Sequence, residues 1–201
     1  MTDISTKAGG LRALKKRETL LRIAETGLKL FVKKGYEGTT LDEIATEAGI
    51  SRRTFFYYFK SKEAILLAFL DGGFAKAIRP ILLAQPTDQT PFQAARGSII
   101  QLMSRLDTEE SIVVANLLGS TEALRARMQG GFVEMEQAVF DSLCELWPEL
   151  EKRGSLRMVA MVSIGAMRIA KEGWRQDGGK RPLSKYLHES FDAVEKLSGR
   201  G

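Results

Sequence analysis

Apolar side chains recur every three to four residues along most of this chain, which is the spacing of one face of an α-helix. The clearest stripe lies in residues 20–31 and comprises Leu20, Ile23, Ala24, Gly27, Leu28 and Phe31. Strand-like alternation of apolar and polar residues is scarce, and helix-forming residues dominate. The pattern therefore predicts an all-α protein of about nine helices, the first running from near Lys16 to Lys34.

Two short helices joined by a tight turn are predicted in residues 39–62. Thr40 is a suitable N-cap because its hydroxyl can accept from free amides of the next turn, and Glu43 completes a capping box. Gly49 is expected to end the first helix, since glycine takes the left-handed conformation without steric cost. Ser51 then caps a second helix over residues 52–59. This arrangement indicates a helix-turn-helix, whose second helix enters the DNA major groove.

The second helix has an apolar side and a basic, aromatic side. Phe55 and Phe59 are four residues apart and should point into the core. Arginines in the first turn oppose the helix dipole, and DNA supplies both a compensating anion and a bidentate partner in guanine. A solvated basic first turn is the alternative for any one arginine alone. The candidate DNA-binding residues are Arg52, Arg53 and Tyr57 for bases, Thr40, Thr54, Tyr58 and Lys62 for phosphates, and Phe56 on the flank.

Residues 15–65 resemble the TetR family of bacterial transcriptional repressors. The residues that carry the resemblance are Phe31, Gly35, Tyr36, Thr39, Thr40, Ile44, Ala45, Ala48, Gly49, Ile50, Ser51, Thr54, Phe55, Tyr57, Phe59, Lys60, Ser61, Lys62 and Glu63. The resemblance implies a homodimer with a DNA-binding domain and a ligand-binding helical domain. Two positions depart from the family pattern: Arg53 stands where a small residue is usual, and Phe56 where a tyrosine usually contacts the DNA backbone.

The positive charge is concentrated in the same region. The chain has a net charge of +5, yet residues 1–62 contain 13 lysines and arginines against 7 acidic residues. The remaining 139 residues contain 17 against 18. A basic domain joined to a nearly neutral one is the electrostatic pattern of a nucleic-acid-binding face.

Composition suggests three segments. Residues 1–14 are small, polar and basic, and we expect a flexible arm. Lys7, Arg12, Lys15, Lys16 and Arg17 either lie along DNA or only solubilise a frayed terminus. Residues 15–62 form the predicted helix-turn-helix domain, and residues 63–201 the ligand-binding and dimerisation domain. The Gly72–Gly73 pair is either a hinge or a tolerated weak point in a helix that Pro80 should bend or end.

The C-terminal domain is predicted to be an antiparallel helical bundle. Its later helices are expected after Thr90–Pro91, after Asp107 or Thr108, from Ser120 to Trp147, from Ser155 to about Trp174, and from Leu183 to Leu197. The helix from Ser155 is apolar on more than one face, so one face should pack against a second copy. The predicted dimer residues on the last two helices are Met161, Gly165, Leu187, His188, Phe191 and Val194.

Six of the seven methionines lie between Met103 and Met167, and adaptable methionine side chains suit an apolar ligand as well as ordinary core filling. The candidate pocket comprises Met103, Met128, Phe132, Met135, Met167, Arg168 and Trp174. Arg168 and Arg175 could receive an anionic head group, or Arg168 could simply pair with Glu172. The last two helices also resemble TetR-type regulators that sense acyl-coenzyme A or related lipophilic compounds.

Other function classes find little support. The only histidine is His188 and the only cysteine is Cys144, so a catalytic pair or a metal cluster is not expected, and neither is a cofactor. The sequence has neither a signal-peptide core nor a membrane-length apolar run. We therefore expect a cytoplasmic regulator rather than an enzyme. Its partners should be a palindromic DNA operator, a second copy of itself and a small-molecule effector, with no membrane partner.

Overall fold

The computed structural model describes residues 4–70, 73–104, 109–197 and 199. Within these ranges the chain forms ten α-helices and no strand, which confirms the predicted all-α class. It divides into two compact units, named here the head (Met1–Asp71) and the body (Gly72–Gly201).

The head contains four helices: α1 (Ile4–Lys34), α2 (Leu41–Glu47), α3 (Arg52–Tyr58) and α4 (Lys62–Leu70). Its core is formed by side chains from all four, with Ile23, Phe31, Ile44, Phe55 and Ile65 fully buried. Helices α1 and α4 cross closely at Gly27, where a Cβ atom would lie 2.8 Å from Cγ2 of Ile65. Because α4 packs on α1, the head extends past residue 62, where the sequence predicted the domain boundary.

The first helix is longer than predicted. It begins at Ile4, so the backbone of the expected arm from residue 4 onward is helical, and Gly9–Gly10 does not interrupt it. The side chains of Lys7, Arg12 and Arg17, for which the sequence left DNA contact and simple solubilisation as alternatives, lie outside the described residues.

The body contains six helices: α5 (Gly73–Leu83), α6 (Pro91–Met103), α7 (Glu109–Leu118), α8 (Glu122–Leu146), α9 (Arg153–Gln176) and α10 (Leu183–Leu197). Helix α9 is central and packs against α6, α8 and α10. Helices α8 and α9 are antiparallel, because Arg168 of α9 meets Gln129 while Arg157 meets Gln137. One hydrophobic core joins these helices, as an antiparallel bundle predicts.

Several predicted helix ends in the body differ from the structure. The hydroxyl of Thr121, not Ser120, accepts from the amide of Leu124 and caps α8. Helix α9 begins at Arg153, and Ser155 lies inside it, donating to the carbonyl of Lys152. Helix α5 continues beyond Pro80 to Leu83, since burial of apolar side chains on this helix offsets the lost amide hydrogen bond.

The predicted caps Asp107 and Thr108, and Gly72 of the predicted hinge, lie outside the described residues. Gly73 is the first residue of α5. Among the helices that the structure describes, none combines the length and the apolar character that crossing a membrane requires.

Candidate nucleic-acid interface

A reciprocal capping box fixes the start of α2, as the sequence predicted. The amide of Glu43 donates to Oγ1 of Thr40 over 3.2 Å, and the amide of Thr40 donates to Oε2 of Glu43 over 2.9 Å. Lys34, at the end of α1, donates to Oε1 of Glu43 over 2.9 Å. The hydrogen bonds from Thr40 and then from Lys34 lower the pKa of Glu43 to about 2. Glu43 therefore stays ionised and joins the end of α1 to the start of α2.

A left-handed glycine and a serine cap produce the turn between α2 and α3. Gly49 has a φ of +66°, a conformation that strains any residue with a Cβ atom. The amide of Ile50 then donates back to the carbonyl of Ala45 over 3.1 Å. Ser51 begins α3 by accepting from the amide of Thr54 over 3.1 Å. Each of these contacts spans five residues or fewer, so the local sequence sets the turn from which α3 begins.

Helix α3 buries one side and exposes the other in the predicted way. Phe55 is fully buried and Phe59, its C-cap residue, is 2% exposed. Arg52, Arg53, Thr54 and Tyr57 are exposed, whereas Phe56 and Tyr58 are half-buried on the flanks. Tyr57, at 67% exposure, is a large aromatic side chain turned to solvent, where it can contact a binding partner.

The two arginines of α3 differ in their surroundings. Nε of Arg52 lies 3.0 Å from Oδ1 of Asp42 on α2, and its guanidinium lies 5.6 Å from the centre of the Phe56 ring. Arg53 has neither a hydrogen bond nor an ion pair with any residue that the structure describes. Arg53 is therefore the arginine whose five donors are free to recognise a partner.

Two lysines next to α3 extend its positive surface. Nζ of Lys16 on α1 lies 5.2 Å from the centre of the Tyr57 ring, so α1 approaches the exposed side of α3. Lys60, exposed just after α3, donates to the carbonyl of Phe56. From the sequence, Lys16 had two alternative roles and Lys60 had none, although a lysine directly after the second helix of a predicted helix-turn-helix is a usable signal.

Lys62 has partners inside the head, which differs from its predicted place on a phosphate. Its ammonium donates to the carbonyl of Tyr36 over 2.7 Å, lies 4.4 Å from the centre of that ring and 3.6 Å from Oε2 of Glu37. The Tyr36 hydroxyl donates to Glu63 over 2.8 Å, and burial together with this bond raises the pKa of Tyr36. Lys62 and Glu63 thus attach α4 to the segment before α2.

The predicted ligand residues of the body are partly in its core. Met103, Met167 and Trp174 are buried there, and Phe132 and Met135 pack against it half-buried. Met128 is half-buried. Arg168 is exposed, donates to Gln129 over 2.7 Å and lies 4.7 Å from the Phe132 ring centre. Its predicted alternative partner was wrong, because Glu172 accepts from Gln176 instead.

Two of the predicted dimer residues were wrongly assigned to the surface. Leu187 and Phe191 are fully buried in the core of a single body, so a second copy cannot reach them. Their spacing revealed an apolar stripe but not which surface covers it. Met161 and His188 are exposed, Gly165 has no atom within 4 Å of its would-be Cβ, and Val194 is half-buried.

The chain is similar to bacterial transcriptional regulators in sequence. The family model for bacterial regulatory proteins of the tetR family matches residues 23–69. The chain is 34% identical over 194 residues to the HTH-type transcriptional regulator TcmR of Streptomyces glaucescens, covering 95% of this chain and 76% of TcmR. It is 40% identical over 93 residues to YuxN, an uncharacterized HTH-type transcriptional regulator of Bacillus subtilis (strain 168). That match spans 46% of this chain and only 31% of YuxN.

Solved structures share the fold. A TetR-family transcriptional regulator from Mesorhizobium loti superposes with a TM-score of 0.62 at 19% identity, covering 90% of this chain and 96% of that one. The Thermus thermophilus repressor FadR, solved in complex with lauroyl-CoA, gives a TM-score of 0.55 at 23% identity, with coverage of 89% and 92%. At these identities the likeness concerns the fold.

Proposed function

Because this chain belongs to the tetR family of bacterial regulatory proteins, we propose that it is a homodimeric repressor that releases an inverted-repeat operator when a ligand binds its body. The observation that carries the proposal is the exposed side of α3, where Arg53 and Tyr57 project from a helix fixed by local caps. That is the geometry in which a helix presents side chains to base edges in the major groove.

In this proposal the residues around α3 have distinct tasks. Arg53 and Tyr57 contact base edges. Arg52 joins them when contacts with DNA replace its ion pair with Asp42. Thr54, Tyr58, Lys16 and Lys60 face the flanking phosphates. A third set stabilises the helices without contacting DNA. Thr40 forms the capping box of α2, Lys62 donates to the carbonyl of Tyr36, and the Phe56 ring packs against the Arg52 guanidinium.

Dimerisation is proposed to use the exposed face of α9. Met158, Met161 and Ile169 are 58%, 48% and 67% exposed and follow one another at helical spacing, with Gly165 between the last two. Water-exposed apolar side chains in one row favour contact with a second apolar row, and the open side of Gly165 permits close approach. A two-fold pair of such helices places two heads on two half-sites.

The effector is proposed to be a small lipophilic compound. The methionines and aromatic side chains on and around the body core supply adaptable apolar surface. FadR, with a similar fold, binds lauroyl-CoA, which makes acyl-CoA-like compounds the first candidates to screen. Ligand binding would release DNA by favouring a body conformation in which the two heads no longer match the operator spacing.

The first experiment is selection of bound duplexes from a random DNA pool at physiological salt. We expect enrichment of a short inverted repeat. Arg53→Ala should weaken binding to the selected duplex by roughly 1–3 kcal/mol and relax sequence preference at one position of each half-site. Arg53→Lys is the matched control, because it keeps the charge but loses the bidentate fork, so it should relax preference with a smaller loss of affinity.

Two outcomes would count against this proposal. Failure to enrich any motif, with binding that vanishes at modest salt, would mean that the head binds DNA nonspecifically. An unchanged base preference in Arg53→Ala would remove Arg53 from the reading residues and leave Tyr57 and Arg52 as the candidates.

A further inference from the structure

Two half-buried cations in the body have no counter-charge among the side chains that the structure describes. Five lysine and arginine side chains are half-buried among those that the structure describes. Three of them have partners: Lys62 pairs with Glu37, Arg96 with two acidic residues of α10, and Arg157 with Glu136. Lys171 and Arg175 have no side-chain hydrogen bond or ion pair with any described residue. The other three half-buried cations are all paired, and unpaired charges become more costly as they lose contact with water, so these two call for an explanation.

Lys171 and Arg175 are four residues apart on α9 and therefore lie on the same side of that helix. Nη1 of Arg175 lies 3.4 Å from the position that a Cβ atom on Gly119 would take, at the junction of α7 and α8. One turn before Lys171, Arg168 meets Gln129 of α8. Lys171 is thus placed between these two anchors, where α9 faces the end of α7 and the first turns of α8.

Buried apolar side chains flank this pair along α9 and in the adjoining ends of α7 and α8. Met167 and Trp174, one turn before and one turn after Lys171, are both buried. Leu118 at the end of α7 and Leu124 at the start of α8 are also buried. Burial lowers the pKa of Lys171. In the free protein this ammonium therefore costs stability, a cost that an incoming anion would remove.

We propose that Lys171 and Arg175 bind the anionic head group, a carboxylate or a phosphate, of an amphiphilic effector whose apolar part lies against the half-buried Met128 and the end of α7. The inference rests on the proposed ligand-controlled function and specifies the chemistry of the ligand. From the sequence, the candidates for binding the head group were Arg168 and Arg175. Lys171 replaces Arg168 here, because Arg168 is already held by Gln129 and Phe132. The anionic head group of an amphiphile would pair with the two cations, and its apolar chain would contact the neighbouring apolar side chains.

The test is calorimetric titration of the full-length protein with three ten-carbon probes: decanoate, decyl phosphate and decan-1-ol. At least one anion should bind about tenfold or more tightly than the neutral alcohol, as expected for a charge-assisted hydrogen bond. Comparing the two anions distinguishes a carboxylate site from a phosphate site. Equal affinity for the anions and the alcohol, or no binding of any probe, would overturn the proposal.

Variants separate a binding role from a structural role. Lys171→Met should remove most of the preference for the anion, and Lys171→Arg should retain it. Lys185→Met removes an exposed lysine of α10 and serves as the matched control, with no change expected. Lys171→Met should also raise the melting temperature of the ligand-free protein, because it removes an unpaired half-buried charge. A lower melting temperature would indicate a structural lysine instead and contradict the proposal.

Binding of the wild-type protein to its selected operator is measured in parallel. If an anionic probe binds but the protein binds no operator, the proposed anion site is supported and the proposed regulatory function is contradicted. Operator binding that no probe releases, together with no anion preference, would defeat the site and leave DNA recognition intact.

Discussion

The contacts that orient α3 in the head and those that join the long helices of the body span different distances along the chain. In the head, Thr40 and Glu43 cap one helix, Ser51 and Thr54 cap another, and each pair is three residues apart. The body has local caps of the same kind at the starts of α6 and α8, but ion pairs between distant residues also join its helices. Arg79 meets Glu145 across 66 positions, and Arg96 meets Asp192 across 96.

This difference affects how firmly α3 is held in the head and α9 in the body. The direction of α3 depends on local hydrogen bonds that form as soon as the helices form. The central position of α9 depends on packing and on cross-helix contacts that exist only in the folded body. A body arranged in this way can change shape when a ligand alters a few of its contacts, whereas the head should move as a rigid unit.

The largest expected change in stability comes from a substitution at Phe191, which the structure places in the core of the body. Phe191→Ala should lower the free energy of unfolding of the body by about 3–5 kcal/mol, because it empties a fully buried site. Leu197→Ala, in the same helix and 88% exposed, is the control and should change little. Denaturant unfolding at several protein concentrations measures both. A loss that appears only at low concentration would return Phe191 to the dimer interface.

The next prediction concerns the exposed face of α9. Met161→Glu should weaken dimerisation by about a hundredfold, because a carboxylate would be buried without a partner. Val133→Glu makes the same change at another exposed apolar site, on α8, and should leave the dimer unchanged. Sedimentation equilibrium distinguishes the two. Equal behaviour of both variants would place the dimer contact elsewhere on the body.

The contrast between the units also explains how much the sequence could predict. The capping box, the left-handed Gly49 and the burial of Phe55 were all predicted, because each depends on residues within one or two turns. Leu187 was misplaced because helical spacing identifies an apolar stripe but not the surface that covers it. The internal role of Lys62 was missed because its partner, Tyr36, lies 26 residues earlier.

Lys171 of the body carried a weaker signal. Lys171 follows Met167 by four residues and Ile164 by seven, so the sequence alone places it on the apolar side of its helix. A lysine there is unusual enough to be noted. Its lack of an acidic partner among the described residues could not be predicted, because the helices that pack around it are distant in sequence.

Lys62 provides a smaller test of the head. Lys62→Met should lower the stability of the head by roughly 1.5–3 kcal/mol, the range for hydrogen bonds from charged groups, because the Tyr36 carbonyl loses its partner. Lys60→Met, at an exposed lysine nearby, should leave stability nearly unchanged but reduce the salt dependence of DNA binding by about one unit of slope. Thermal unfolding and binding titrations over a range of salt measure these effects. The reverse pattern would restore Lys62 as a phosphate contact.

The smallest expected effect is the pH dependence contributed by Glu43. Its pKa of about 2 in the folded head is below the ordinary value of 4.5, so ionised Glu43 stabilises the fold. This contribution is complete above pH 4.5 and is lost as the pH falls toward 2. Glu43→Gln keeps the capping geometry but cannot ionise, so its melting temperature should be lower than that of the wild type near neutral pH. The difference should shrink as the pH falls. A constant difference would mean that Lys34 and Thr40 do not favour the charged form, and that the two ends of α1 and α2 are joined by packing alone.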